Sequence, residues 1–249
     1  MKRATLILAP WAALLALWYA IHYSGLVNPA LIPAPHAVAQ RFTELVKDRL
    51  PMDVWMSTQR VFIGVTLGIL VAVPVGFVLG WYASIRAFIE PLVNFFRALP
   101  PIALIPLVIV YFGVDETAKV VILFYASFFA GVIVMYEGIA QISPIYVRVA
   151  KTLGARDSEI FLKVIVPLTV PHMLTALRVA LGVAWATLVA SELIAAQRGL
   201  GSLIQNAASF FQLDIIYLGI ICIGFIALAM DLALRFVAKR LVAWQDRIA

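Results

Sequence analysis

Cysteine is all but missing from this sequence. Cys222 stands alone among 249 residues, inside an apolar run, so no intrachain disulfide can form and a buried thiol is expected. Charge is scarce too: Asp, Glu, Lys and Arg make up 13% of the chain, about half the usual share in soluble domains. Histidine occurs only at His22, His36 and His172, with no second ligand at useful spacing, so no metal site is expected. No G-x-x-x-x-G-K-S/T phosphate loop occurs anywhere, which excludes the usual way of holding ATP. Basic residues do not interleave with aromatics, so the net charge of +6 does not point to nucleic acid.

What is present is apolar length. Hydrophobic residues make up 64% of the chain and the mean hydropathy is +1.02. A soluble domain of this size could not bury that much apolar surface, so the expectation is an all-α membrane protein with one transmembrane domain over 1–249. Six runs approach the ~20 residues that a bilayer requires. They lie near 4–25, 60–82, 92–112, 118–140, 173–196 and 214–237, and the third is interrupted by Arg97, Pro100, Pro101 and Pro106. The first follows Lys2 and Arg3 without a small-residue cleavage site, and reads as a retained helix. With both termini inside, Lys2, Arg3, Arg86, Arg148, Lys151, Arg156, Lys163, Lys239, Arg240 and Arg247 fall on the cytoplasmic side. Arg41, Lys47, Arg49, Arg60, Lys119 and Arg198 fall opposite. There, residues 36–50 carry a helical stripe of Val38, Phe42, Leu45 and Val46 suited to a membrane surface.

Between the fourth and fifth runs lies a polar loop, 141–172, whose centre carries helix punctuation. Ser143 can cap a helix opening on Pro144, and Gly154 can end it. Asp157 or Ser158 can cap a second short helix running into Pro167. Two short helices hinged at a glycine look like a docking surface for another protein.

Other features concern packing and a route through the bundle. Gly64, Gly68, Ala72, Gly76 and Gly80 recur every four residues, a ridge that lets another helix approach closely. Glu192 is an ionisable group at membrane depth; it either lines a pathway or pairs structurally. Trp185 either faces a pore or packs. Gly199, Leu200 and Gly201 suit a re-entrant turn followed by a short outer segment, 202–211, with Gln205, Asn206 and Ser209 at its surface. Arg97 offers a donor fork for an anion just before the helix-breaking Pro100 and Pro101; the competing reading is snorkelling or pairing with Glu90. Arg178 reads as structural, and Asp231 with Arg235 as a helix-surface ion pair.

The loop resembles the cytoplasmic EAA motif of ATP-binding-cassette (ABC) importer permeases: Glu-Ala-Ala, three residues, Gly, nine residues, then Ile-x-Leu-Pro. Ala150, Gly154, Val164, Val166 and Pro167 fall on that spacing, while Arg148 and Val149 replace the first Glu and Ala. Residues 188–201, the run from Arg97 to Leu107, Tyr111 to Lys119, and Leu31-Ile-Pro-Ala-Pro are similar to the nitrate, sulfonate and taurine permeases, with 188–201 nearest the taurine branch. The resemblance implies the type I ABC importer permease fold, MetI-like, in a bacterial inner membrane. It implies two copies of the chain forming a pore in membrane lipid, two ABC ATPase subunits holding ATP and Mg, and a periplasmic or lipid-anchored binding protein. This chain itself would hold no cofactor and catalyse nothing. Ala150, Lys151, Thr152, Leu153, Gly154, Ala155, Arg156, Asp157, Ile160, Phe161 and Pro167 would couple to the ATPase, with Ile160 and Phe161 as anchors in its groove. Glu192, Trp185, Arg97, Pro100 and Pro101 would line the pathway or gate. Taurine or a related sulfonate is the expected solute; nitrate, an aromatic carboxylate or a pyrimidine precursor are alternatives. A secondary transporter or channel using Glu192 as a relay is the reading from a different class.

Overall fold

The structure is a computed structural model that describes residues 2–25 and 28–242. Arg247, assigned to the inner side above, lies outside them. The described residues form helices α1 (Lys2–Tyr23), α2 (Pro35–Leu45), α3 (Leu50–Trp81), α4 (Ala83–Ala98), α5 (Pro101–Phe112), α6 (Glu116–Ala140), α7 (Pro144–Thr152), α8 (Asp157–Ile160), α9 (Val166–Ala195), α10 (Leu200–Ser209) and α11 (Leu213–Leu241). A π-helical turn, Phe161–Ile165, joins α8 to α9. No strand occurs among the described residues. Among the described residues, four helical segments are long and apolar enough to cross a bilayer: Leu50–Trp81, Glu116–Ala140, Asp157–Leu193 and Leu213–Leu241. The number rises to five if α4 and α5 count as one broken span. In α1 the apolar stretch is shorter, Leu8–Tyr23.

The expected span at 92–112 is not one helix. α4 and α5 meet at 91°, with Leu99 and Pro100 extended between them. The cause is local: a residue before proline is pushed out of the helical region, and Pro100 and Pro101 impose this twice in succession. Likewise, α2 stops at Leu45, short of the expected 36–50.

The chain divides into two compact units, Met1–Ser57 with Glu192–Phe225, and Thr58–Ser191 with Ile226–Ala249. In the second unit the small-residue ridge of α3 packs along α6. Gly64 lies on Leu123, Gly68 on Ser127, Gly76 on Met135 and Gly80 on Ile139, with Ala72 beside Gly131. Both rows advance four residues at a time in the same direction, so the two helices run parallel, ridge on ridge. A side chain at Gly68 or Gly80 would stand 2.6 or 2.7 Å from its neighbour. Near one end of this pair, Arg60 grips Glu116 through Nε at 2.5 Å and Nη2 at 2.6 Å, and Lys119 Nζ joins at 2.8 Å. Arg60 and Lys119 are buried. At the other end, Phe77, Met135, Ile139, Ile160, Ile165 and Ala176 form a core that ties α3, α6, α8 and α9 together.

In the first unit, α1 is held to the following loop by Trp18 Nε1 donating to the Pro33 carbonyl at 3.0 Å, and to the start of α11 by stacking of Trp18 on Tyr217. Arg41 of α2 donates to Asp214 at 2.5 Å and to Glu44 at 2.8 Å. The Asp214 bond first, then that to Glu44, raise the guanidinium's pKa above its ordinary value. Val38 is buried while Phe42 and Val46 remain exposed, so the stripe of α2 is shared between its own unit and the surroundings.

Candidate functional site

Two constellations stand out, one in each unit. In the second unit the loop predicted as a docking surface is built as a hinged pair of helices. Ser143 sits at the N-cap of α7, its Oγ accepting from the Ile145 N–H at 3.4 Å, and Pro144 takes the first helical position. Gly154 ends α7 with φ +81°. The Gly154 N–H reaches the Lys151 carbonyl and the Ala155 N–H reaches that of Ala150, both at 3.0 Å. This pair of reversed bonds is a Schellman closure, which needs a left-handed residue at the position Gly154 holds. No atom lies within 4 Å of where a Cβ at Gly154 would stand. The requirement is therefore conformational, not steric. Across the turn, Lys151 and Asp157 form an exposed ion pair at 3.4 Å.

α8 starts as foreseen near Asp157, but its cap differs. Arg156 occupies the N-cap position, and the Glu159 carboxylate accepts its N–H at 3.1 Å. Nor does the second helix end at Pro167. It runs on through the π turn into α9, with the Val166 N–H reaching back five residues to the Phe161 carbonyl. Pro167 has no N–H to give, and a wider turn just before it lets the helix continue past the missing bond.

The two faces of this segment differ sharply. Val147, Ala150, Ala155, Phe161 and Val164 pack against the core beneath, and Ile160 is 0% exposed. Phe161 meets the rings of Phe77 and Trp81 edge-on, with centroids 5.3 and 5.8 Å away. The expectation that Ile160 and Phe161 anchor a partner is corrected: they root the segment in its own bundle. The outward apolar residues are instead Ile145, Tyr146, Val149, Leu153 and Leu162, with Leu153 82% exposed. Thr152, Arg156 and Pro167 are exposed among them. The signal was legible, since Ile145 and Val149 on α7 and Leu153 at its C-cap recur every four residues.

In the first unit lies a buried clasp. Glu192 is 1% exposed and its carboxylate accepts from Ser57 Oγ at 2.8 and 2.9 Å and from the Gly201 N–H at 2.8 Å. Ser57 Oγ in turn accepts from the Leu200 N–H at 2.8 Å, and Asp53 Oδ1 from the Gly199 N–H at 3.0 Å. Arg49 Nε donates to the other Asp53 oxygen at 2.7 Å. Thus the N–H groups of Gly199, the N-cap of α10, and of its first two residues, which no helix satisfies internally, each meet a separate side-chain acceptor. Two of those acceptors are carboxylates placed at the positive end of the helix. Gly199, at φ +133°, makes the turn that brings these donors together. The sequence reading missed Asp53 and Ser57, although they lie four residues apart on one face of α3.

The other pathway residues divide. Trp185 is buried, and no described group accepts from its Nε1. Arg97 is exposed at the end of α4 and makes no ion pair with Glu90 among the described residues. With Leu99, Pro101, Tyr125, Phe129 and Val183 it lines a cavity of about 320 Å³ beside the 91° bend. The Tyr125 hydroxyl donates to the Phe96 carbonyl, covering one of the acceptors left open where α4 ends. Pro100 is exposed and Pro101 half-buried. Arg178 donates to Asp231 at 2.6 Å and Arg235 to the same carboxylate at 2.8 Å, so the structural reading of these three holds.

Comparison with known proteins agrees with this architecture. Residues 64–244 match the family of binding-protein-dependent transport system inner membrane components. A probable ABC transporter permease of Brucella abortus (strain 2308) is 43% identical over 92% of this chain and 91% of its own length. The taurine transport system permease protein TauC of Escherichia coli (strain K12) is 32% identical over 99% of this chain and 92% of its own. The inward-facing methionine ABC transporter MetNI has a chain that superposes with a TM-score of 0.59, covering 74% of this chain and 95% of that one at 20% identity. That likeness carries the fold, a type I importer permease. On the strength of the match over 64–244 and of relatives spanning nearly the whole chain, the protein belongs to the family of inner membrane components of binding-protein-dependent ABC transport systems.

Proposed function

We propose that this chain is the pore-forming permease of an ATP-driven importer for a small organic anion or zwitterion, taurine or a related sulfonate before others. The observation that carries the proposal is the two-faced segment 143–165: rooted through Ile160 and Phe161, hinged at Gly154, and apolar on its outer face. A rigid lever needs one face locked to the moving body and another free for the motor. Two copies would form the pore, two ATPase subunits holding ATP and Mg would dock on Ile145, Val149 and Leu153, and an external binding protein would deliver the solute. Both termini then lie in the cytoplasm of a bacterial cell, with the segment on the inner face of the inner membrane.

Substrate and nucleotide would act by favouring different members of the same set of bundle states. Residues 150–157 form the hinge, with Lys151 and Asp157 bracing it; Pro167 follows the π turn where the lever enters the bundle. The taurine-transport relative and the Arg97 cavity support the anionic solute, since a guanidinium beside an apolar wall suits a sulfonate head on a short chain. Pro100 and Pro101 hold that cavity's bend. Glu192 is proposed as a fixed outer corner of the pathway, with Trp185 packed in the same helix, and not as an ion relay. A carboxylate held by the Ser57 hydroxyl and the Gly201 N–H is tied to a fixed position at the start of α10. The test is reconstitution of the chain with its ATPase and binding protein, screening taurine, alkanesulfonates and nitrate for stimulation of ATP hydrolysis. Stimulation by taurine or a sulfonate is expected; stimulation by none of them, with intact assembly, removes the substrate assignment.

A further inference from the structure

In the second unit, at the end that carries the coupling segment, α9 and α11 leave an open groove of about 300 Å³. Its floor is apolar, with Leu174, Leu234 and Val242, and three cations stand around it: Arg178, Arg235 and Lys239. Among the described residues, the one carboxylate that meets these arginines is Asp231, which accepts from both through Nε alone. The outer N–H groups of both guanidinium forks have no acceptor among the described residues, and neither does the Lys239 ammonium. Among the described residues, three positive charges against one negative leave the groove with a local charge of about +2.

Depth along the helices matters as much as charge. α11 carries no charged residue over 215–230, and its cations come only in its last turns, at Arg235, Lys239 and Arg240. At 1.5 Å per residue, Asp231 lies about 6 Å before Arg235, and Lys239 about 6 Å beyond it. In a helix that crosses a bilayer, this sets the Arg178–Asp231 pair just inside the apolar edge and Arg235 with Lys239 at the level of lipid phosphates. Phe236 and Leu232 stay exposed beside the groove, and the Arg240 guanidinium lies 4.4 Å above the Phe236 ring. An occupant must therefore be amphiphilic: an anion with several acceptor oxygens at one end and a chain to cover Leu174 and Leu234 at the other.

We infer that this groove binds the headgroup of an anionic phospholipid, its phosphate held by Arg235, Lys239 and the outer edge of Arg178. The inference rests on the chain spanning a membrane, but not on the solute or on the coupling role. Removing a cation near an anionic headgroup should weaken binding about fivefold, and removing two about 25-fold.

The experiment takes the full-length chain in neutral detergent and measures bound lipid by native mass spectrometry during titration with phosphatidylglycerol. Phosphatidylcholine of the same chains and a large excess of inorganic phosphate serve as the other arms. Phosphatidylglycerol should be retained, phosphatidylcholine not, and inorganic phosphate should fail to displace it. Lys239→Gln should cost about fivefold and the Arg235→Gln, Lys239→Gln pair about 25-fold. Lys239→Gln leaves every Asp231 ion pair intact, so it gives the answer even if the double variant misfolds. Equal retention of both lipids, displacement by inorganic phosphate, or unchanged affinity in Lys239→Gln would overturn the inference. None of these readings depends on transport.

Discussion

Two glycine turns in this molecule solve the same local problem and end in opposite situations. Gly154 and Gly199 each take a positive φ and each delivers the chain into a new helix. Around Gly154 the backbone closes on itself through the Schellman bonds, and the side chains on one face are left free. Around Gly199 the backbone donors are handed to Asp53, Ser57 and Glu192, all buried. A turn that satisfies its own backbone can stand at a surface and leave its side chains for a partner. A turn that depends on distant acceptors becomes a corner of the fold, and its cost of disruption is shared among three elements.

That contrast predicts opposite responses to substitution. The largest effect is expected at Glu192→Leu, which leaves the Gly201 N–H and the Ser57 hydroxyl buried without an acceptor. About 3 kcal/mol or more of stability should be lost, read as a fall in thermal midpoint and in membrane-inserted yield. An unchanged midpoint would mean that the clasp is ornamental. Asp53→Ala, which strips one donor of its acceptor and leaves Arg49 unpaired, should cost about 1–3 kcal/mol in the same assay. Gly154→Ala should cost about 1–2 kcal/mol, because no contact is lost and only the left-handed backbone is penalised. Leu153→Asp should leave the midpoint within about 0.5 kcal/mol of wild type, yet abolish co-purification of the ATPase subunit. If that variant still captures the ATPase, the outward face of α7 is not the docking surface. Lys151→Gln should be smallest, since an exposed pair at 3.4 Å contributes about 0.5 kcal/mol or less.

Much of this was legible from residue types alone. The ridge from Gly64 to Gly80 announced a close helix contact, and its partner proved to be a matching four-residue row on α6. Ser143, Pro144 and Gly154 marked the ends of α7 because caps and left-handed stops depend on local chemistry. Non-local pairing was another matter. Asp53 and Ser57 are separated from Glu192 by more than 130 residues of chain, and no spacing rule links them. The Arg60–Glu116 pair escaped for the same reason: Arg60 and Lys119 were counted only toward the outer side, whereas both are buried around Glu116. Ile160 and Phe161 misled because an apolar residue in a docking loop can face either the partner or the protein's own core, and these two face the core. Pro167 misled because a proline breaks a regular helix, but a five-residue turn placed before it restores continuity.

The central proposal is that segment 143–165 carries force from a nucleotide-driven subunit into the bundle. The most direct test is solute uptake into proteoliposomes holding this chain, its ATPase and its binding protein, wild type against Gly154→Val. The account predicts that the variant keeps the bundle assembled, still retains the ATPase, hydrolyses ATP, and takes up no solute. Uptake at the wild-type rate in that variant, or uptake by the chain alone down an ion gradient, would contradict it.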